Sequence, residues 1–113
     1  MHEVGLAQET LDLAVATATQ QQAREIRCLR IEVGQLSGVV VEALRFALET
    51  LAAGTMAAAA TMEIEEIVAR AYCVACGEAF DAMAQAYRCP QCGAICPDLV
   101  QGRELRLVSV EVI

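Results

Sequence analysis

The sequence predicts an α/β (α+β) fold: a small three-stranded sheet carrying two helices, with a four-cysteine lobe inserted before the last strand. Three observations carry this expectation. Two stretches repeat their apolar residues with helical spacing, three others read as strands, and two Cys-x-x-Cys knuckles stand between the second and third of those strands.

From Val4 to about Gln22 the apolar positions Val4, Ala7, Leu11, Ala14 or Val15, and Ala18 form one stripe, with Glu9, Asp12, Thr19 and Gln20 off it, which predicts an amphipathic helix. Between Ile26 and Val33, Leu29, Ile31 and Val33 alternate with Cys28, Arg30 and Glu32, the period of a strand with one buried face, and Gly34 ends it. Ser37 is expected to cap a second helix whose stripe is Leu44, Ala47, Leu48 and Leu51, while Glu42, Arg45 and Glu49 face away. Gly54 falls where a helix C-cap glycine belongs.

A second strand covers Thr61 to Val68, with Met62 and Ile64 inward and Glu63 and Glu65 outward. The phase breaks at Glu66-Ile67-Val68, which reads as a bulge or a change of exposed face. Glu104 to Ile113, rich in Leu and Val, is the third strand. The helix between strands one and two suits a parallel crossover, and the last strand suits antiparallel pairing. The expected organisation is an α/β unit over residues 1–70, completed by 100–113, with the cysteine lobe at 71–99 inserted into it.

At 113 residues the chain is about one small domain, for which a metal staple beside a modest core is a reasonable design. The 57% hydrophobic content is inflated by 21 alanines, and charges interrupt every apolar run well short of the ~20 residues of a membrane span, so no membrane partner is expected. The start Met1-His2-Glu3-Val4 lacks the basic and apolar segments of a secretory signal, so the expected location is cytoplasmic. In a reducing compartment, paired cysteines are more often metal ligands than disulfides. The formal charge of −7, with eight Arg and no Lys, argues against a nucleic-acid partner, because phosphate binding depends on clustered positive charge.

The knuckles are Cys73-Val74-Ala75-Cys76-Gly77 and Cys89-Pro90-Gln91-Cys92-Gly93, with twelve residues between Cys76 and Cys89. Four thiolates so spaced suit tetrahedral Zn(II), and the glycine after each pair lets the backbone bend around the metal. The reading is a zinc-ribbon lobe with a closed, structural site; a rubredoxin-like iron or a redox dithiol pair is the alternative. Phe80, Met83 and Tyr87 would supply its few apolar contacts. Of the two remaining cysteines, Cys28 reads as a small apolar strand residue, and Cys96 either packs or swaps in as a ligand.

His2 is the only histidine. A free α-amine, the His2 backbone nitrogen and the His2 imidazole would chelate one metal in a plane, a nitrogen-rich geometry that suits Ni(II) or Cu(II), and Glu3 could add an oxygen. The plain alternative is an incidental histidine on a loose terminus.

These features together resemble a family: Met1-His2-Glu3 opening a helix, a strand ending in Val33-Gly34-Gln35-Leu36-Ser37-Gly38, the segment Glu42-Ala43-Leu44-Arg45-Phe46, the two knuckles, and the closing Gly102-Arg103-Glu104-Leu105. The chain is similar along its whole length to HypA, the nickel metallochaperone of [NiFe]-hydrogenase maturation. The resemblance implies a protein that is not an enzyme but receives Ni(II) and passes it toward the hydrogenase large subunit, working with the GTPase HypB, and in some organisms serves urease. It assigns nickel to Met1 through its amine, to His2 through backbone and ring, and to Glu3, and it assigns zinc to Cys73, Cys76, Cys89 and Cys92. One position departs from the pattern: Val40 stands where some relatives carry an acid that helps to hold nickel, and Glu42 lies close by. The competing expectation, from a different class, is a zinc-ribbon protein-interaction module in which His2 is incidental and the acidic surface binds a basic partner.

Overall fold

The computed structural model describes residues 2–82 and 87–113. Helix α1 (His2–Gln20) leads to strand β1 (Ile26–Gly34), helix α2 (Val41–Ala52) and strand β2 (Thr61–Ile67). Four further strands follow: β3 (Arg70–Cys73), β4 (Glu78–Asp81), β5 (Leu99–Gln101) and β6 (Leu105–Val112).

β1 is the centre of a three-stranded sheet of order β2-β1-β6. It runs parallel to β2, with α2 as the crossover, and antiparallel to β6. Burial explains the central place: Ile26, Leu29, Ile31 and Val33 are all fully buried. Both helices lie over this face, α1 through Ala7, Leu11, Ala14 and Ala18 and α2 through Leu44, Ala47 and Leu48. The small side chains of α1 let its backbone approach α2 and the sheet closely, so the alanine-rich composition is used for packing as well as for helix propensity. The opposite face of the sheet is charged, with Arg30 on Glu63 at 2.9 Å and Arg106 on Glu32 at 2.7 Å. Such exposed pairs contribute little stability each and serve mainly to keep this face wet.

Three details differ from, or refine, what the sequence led us to expect. Ser37 does not cap α2: its Oγ accepts from the Val39 amide at 3.1 Å, closing a local turn, and the capping position falls to Val40, whose side chain offers no acceptor. Ser hydroxyls compete for nearby amides in this way, and here the nearer amide wins. The phase break after Glu65 is not a bulge in the β1–β2 ladder, whose register runs unbroken from Cys28↔Thr61 to Gly34↔Ile67. The irregularities lie instead on the other side of β1, where the pairing with β6 shifts between Ile26 and Cys28 and between Arg30 and Ile31.

A second three-stranded sheet, of order β4-β3-β5, was not read from the sequence at all. Its strands are three or four residues long and half exposed, too short for a period to register. It begins at Arg70 and ends at Gln101, and these two residues pair with each other. Because it is inserted between β2 and β6, two chain segments must cross side by side, and they do so where Gly34, Ala69 and Gly102 meet. A Cβ on Gly34 would collide with the Gly102 carbonyl, and one on Gly102 would sit 2.6 Å from the Ala69 Cα; Gly102 also has φ +125°, open only to glycine. Backbone hydrogen bonds fasten the crossing: the Leu36 amide donates to Gly102 O at 2.7 Å, the Gln35 amide to Ile67 O at 2.8 Å, and the Ala69 amide to Gln35 Oε1 at 2.9 Å.

The chain is elongated, with a radius of gyration of 17.3 Å, against about 13 Å for a compact domain of this length. Among the described residues no helix is long and apolar enough to cross a membrane.

The crossing yields a mutational expectation. Gly34→Ala forces backbone against backbone and should destabilise the protein by about 3 kcal/mol. Gly38→Ala, at φ +82° but in open space, should cost about 1 kcal/mol. Urea-denaturation midpoints of the two variants check the order; equal midpoints would contradict it.

Candidate metal centre

β3 ends on Cys73 and β4 begins at Glu78, so the first knuckle is the turn of the β3–β4 hairpin. Gly77, at φ +72°, returns its amide to Cys73 O at 2.8 Å. The second knuckle repeats the construction: Gly93 has φ +75°, and its amide donates to Cys89 O at 2.9 Å. Arg88 braces this turn by donating to Gly93 O at 2.9 Å. Two like turns therefore present two sulfurs each to a common point.

Those four sulfurs, of Cys73, Cys76, Cys89 and Cys92, lie within 4.8 Å of one another. Cys73 and Cys92 Sγ are 3.6 Å apart, and Cys76 and Cys89 Sγ 3.8 Å. A tetrahedron with metal–sulfur bonds of about 2.3 Å has an edge of about 3.8 Å, so the set fits a dication such as zinc, whereas a disulfide needs about 2.05 Å. All six cysteines are free.

The electrostatics favour a thiolate here. The Cys76 amide donates to Cys73 Sγ at 3.4 Å and lowers the Cys73 thiol to about 6, outweighing the burial that opposes it. The neighbouring sulfurs of Cys92, Cys89 and Cys73 push Cys76 up to about 12. Cys73 is the most buried of the four, and metal ligation by cysteine requires the thiolate form. Phe80 packs on the sulfurs, and Tyr87 joins Ala69, Ala71 and Ala82 in a small apolar cluster just behind them. Met83 lies outside the described residues.

The other two cysteines divide. Cys28 is buried in β1, away from the four, and desolvation raises its thiol, helped by the carboxylates of Glu63 and Glu111. Cys96 is buried against Cys73 and Cys89.

At the other end of the chain, Met1 lies outside the described residues. His2 is 59% exposed, with Nδ1 3.4 Å from Glu3 Oε1. The Glu3 side chain is only 14% exposed, and its Oε2 accepts from the Val40 amide at 3.2 Å. That bond is the main reason its carboxyl lies below the ordinary carboxylate range. Glu3 thus stands in the first turn of α1 and also supplies the acceptor that the start of α2 lacks in its own sequence. Val40 enters this site through its backbone and not its side chain, and Glu42 turns outward, 85% exposed, toward Arg45 at 4.0 Å. The Glu3–Val40 contact joins residues 37 apart and has no local signature, which is why sequence reading passed over it.

Residues 1–112 match a family model described as "Hydrogenase/urease nickel incorporation, metallochaperone, hypA". The chain is 41% identical over 113 residues to a hydrogenase maturation factor HypA of a Picosynechococcus strain, with all of both chains covered. It is 38% identical to that of Chloroflexus aggregans, over 98% of each chain. Among solved structures, the fold resembles the solution structure of the Ni metallochaperone HypA from Helicobacter pylori, with a TM-score of 0.68 at 23% identity over 98% of this chain and 97% of that one.

Two measurements probe the geometry. Co(II) added to the protein should give the intense thiolate-to-cobalt absorption of a tetrahedral four-sulfur site, and replacing Cys73 and Cys89 together by Ala should abolish that four-sulfur signature. Glu3→Ala should leave the Val40 amide without its acceptor, so that its hydrogen exchange accelerates by about tenfold; an unchanged rate would mean that the bond does not hold the start of α2.

Proposed function

The chain belongs to the HypA family of hydrogenase/urease nickel-incorporation metallochaperones, and from that premise we propose that it takes up Ni(II) as cargo at Met1, His2 and Glu3 and hands it on. The receiver is the hydrogenase large subunit, or urease where that is the client, and the GTPase HypB is the working partner, in the cytoplasm. Cys73, Cys76, Cys89 and Cys92 hold a structural Zn(II), and the protein is not an enzyme.

The observation that carries this reading is the contrast between the two sites. Four thiols turned onto one point suit a permanent dication, since a full tetrahedron leaves no coordination position for an incoming ligand. His2 is exposed at the very start of α1, where a metal can be approached by an acceptor's ligands. The His2 backbone nitrogen also lies in the first turn of α1, whose amides have no intrahelical acceptor, so binding nickel through it breaks no helix hydrogen bond. The nitrogen-rich set suits planar Ni(II). Its fourth donor is read as Glu3 Oε1, the oxygen that faces His2 while Oε2 is tied to Val40.

His2→Ala is expected to lose Ni(II) binding by calorimetry while keeping its zinc content and its circular dichroism. Unchanged nickel affinity in that variant would sink the assignment. Nickel affinity should also fall on acidification, because an amine and an imidazole must both be deprotonated to ligate.

A further inference from the structure

We propose that Cys96 is a reserve thiolate of the four-cysteine site, placed to replace Cys92 as a ligand to the resident dication. The inference rests on the reading of that site as a zinc centre and adds a fifth sulfur to it.

Of the four knuckle cysteines, Cys73 and Cys89 are buried, Cys76 is half-buried and Cys92 is exposed. Cys92 is therefore the sulfur that solvent, competing ligands and electrophiles reach first. Cys96 is 6% exposed and packs directly on Cys73 and Cys89, in the same cluster of sulfurs. Its backbone is fixed there: the Cys96 amide donates to Tyr87 O at 2.6 Å, and the neighbouring Arg88 and Ile95 form a bridge that closes the second knuckle from behind. Among the described residues its thiol donates to the Ala94 carbonyl at 3.5 Å, a weak sulfur hydrogen bond, so little is lost when it turns toward a metal. Cys28 provides the contrast, as a buried thiol in β1 that is not part of the cysteine cluster.

The exchange balances without an oxidant. Cys96 releases its proton to solvent as its sulfur bonds to the metal, and the departing Cys92 thiolate takes up a proton, so the charge of the site is unchanged. The alternative ligand set is Cys73, Cys76, Cys89 and Cys96, with no exposed sulfur in it.

The test compares wild type, Cys92→Ala, Cys96→Ala and the double variant by zinc content and by Co(II) absorption. Cys92→Ala is expected to retain about one dication per chain with four-thiolate absorption, and the double variant to show three-thiolate absorption and affinity weaker by about tenfold or more. If wild type holds the metal but Cys92→Ala matches the double variant, Cys96 only packs and the proposal is overturned alone. If wild type binds no dication, the zinc reading falls and the reserve ligand falls with it. A second arm avoids the Cys92 substitution. Iodoacetamide, limited to alkylation of the exposed Cys92 sulfur with loss of iodide, should leave zinc bound in wild type and release it from Cys96→Ala; equal release from both would also overturn the proposal.

Discussion

The structure depends on a place where side chains are excluded. Because the four-cysteine sheet is inserted into the path of the α/β sheet, the chain must leave after β2 and return before β6 through one narrow crossing, where Gly34, Ala69 and Gly102 bring three backbones together. Only glycine and alanine fit, and the contact is held by main-chain hydrogen bonds and one glutamine carbonyl instead of by apolar area. Such a joint transmits position well, since backbone groups have few alternative arrangements once paired. The segment that leaves it, through Gln35, Leu36 and Ser37, leads within a few residues to Val40 and so to the carboxylate of Glu3. The thiol cluster and the terminal histidine are thus ends of one framework.

The two candidate sites differ in how their ligands are held. Each cysteine knuckle fixes its sulfurs by a turn closed with a positive-φ glycine, so the backbone holds the donor atoms toward one point. At the first turn of α1, Glu3 is held by a hydrogen bond, while His2 is mostly exposed. Preorganisation favours retention, and its partial absence favours exchange. In this reading the permanent ion and the transported one are separated by rigidity as well as by ligand chemistry.

Most of the larger α/β unit was legible in the sequence because its elements are long. The stripe of α1, the alternation of β1 and the parallel crossover through α2 all follow from apolar spacing, and the knuckles follow from cysteine spacing. What escaped was built from short or distant contacts. The β4-β3-β5 sheet has strands below the length at which a period shows, Ser37 had two amides to choose between, and the Glu3–Val40 bond exists only once the fold has brought its partners together. Cys96 was visible as a nearby sulfur, but only the packing distinguishes it from Cys28.

The long-range pairing of β6 has a consequence for how the molecule is made. Glu32 and Arg106, which meet across β1 and β6, are 74 residues apart, and the whole cysteine lobe is synthesised between them. During synthesis β1 has its β2 neighbour early, but its other edge stays open until the chain has been made through Val112, and α1, which packs on β6 as well as on α2, lacks part of its seat until then. α1 therefore reaches its complete packing only when β6 is in place. A sheet closed by so distant a partner depends on long-range pairing, which forms more slowly than local contacts do.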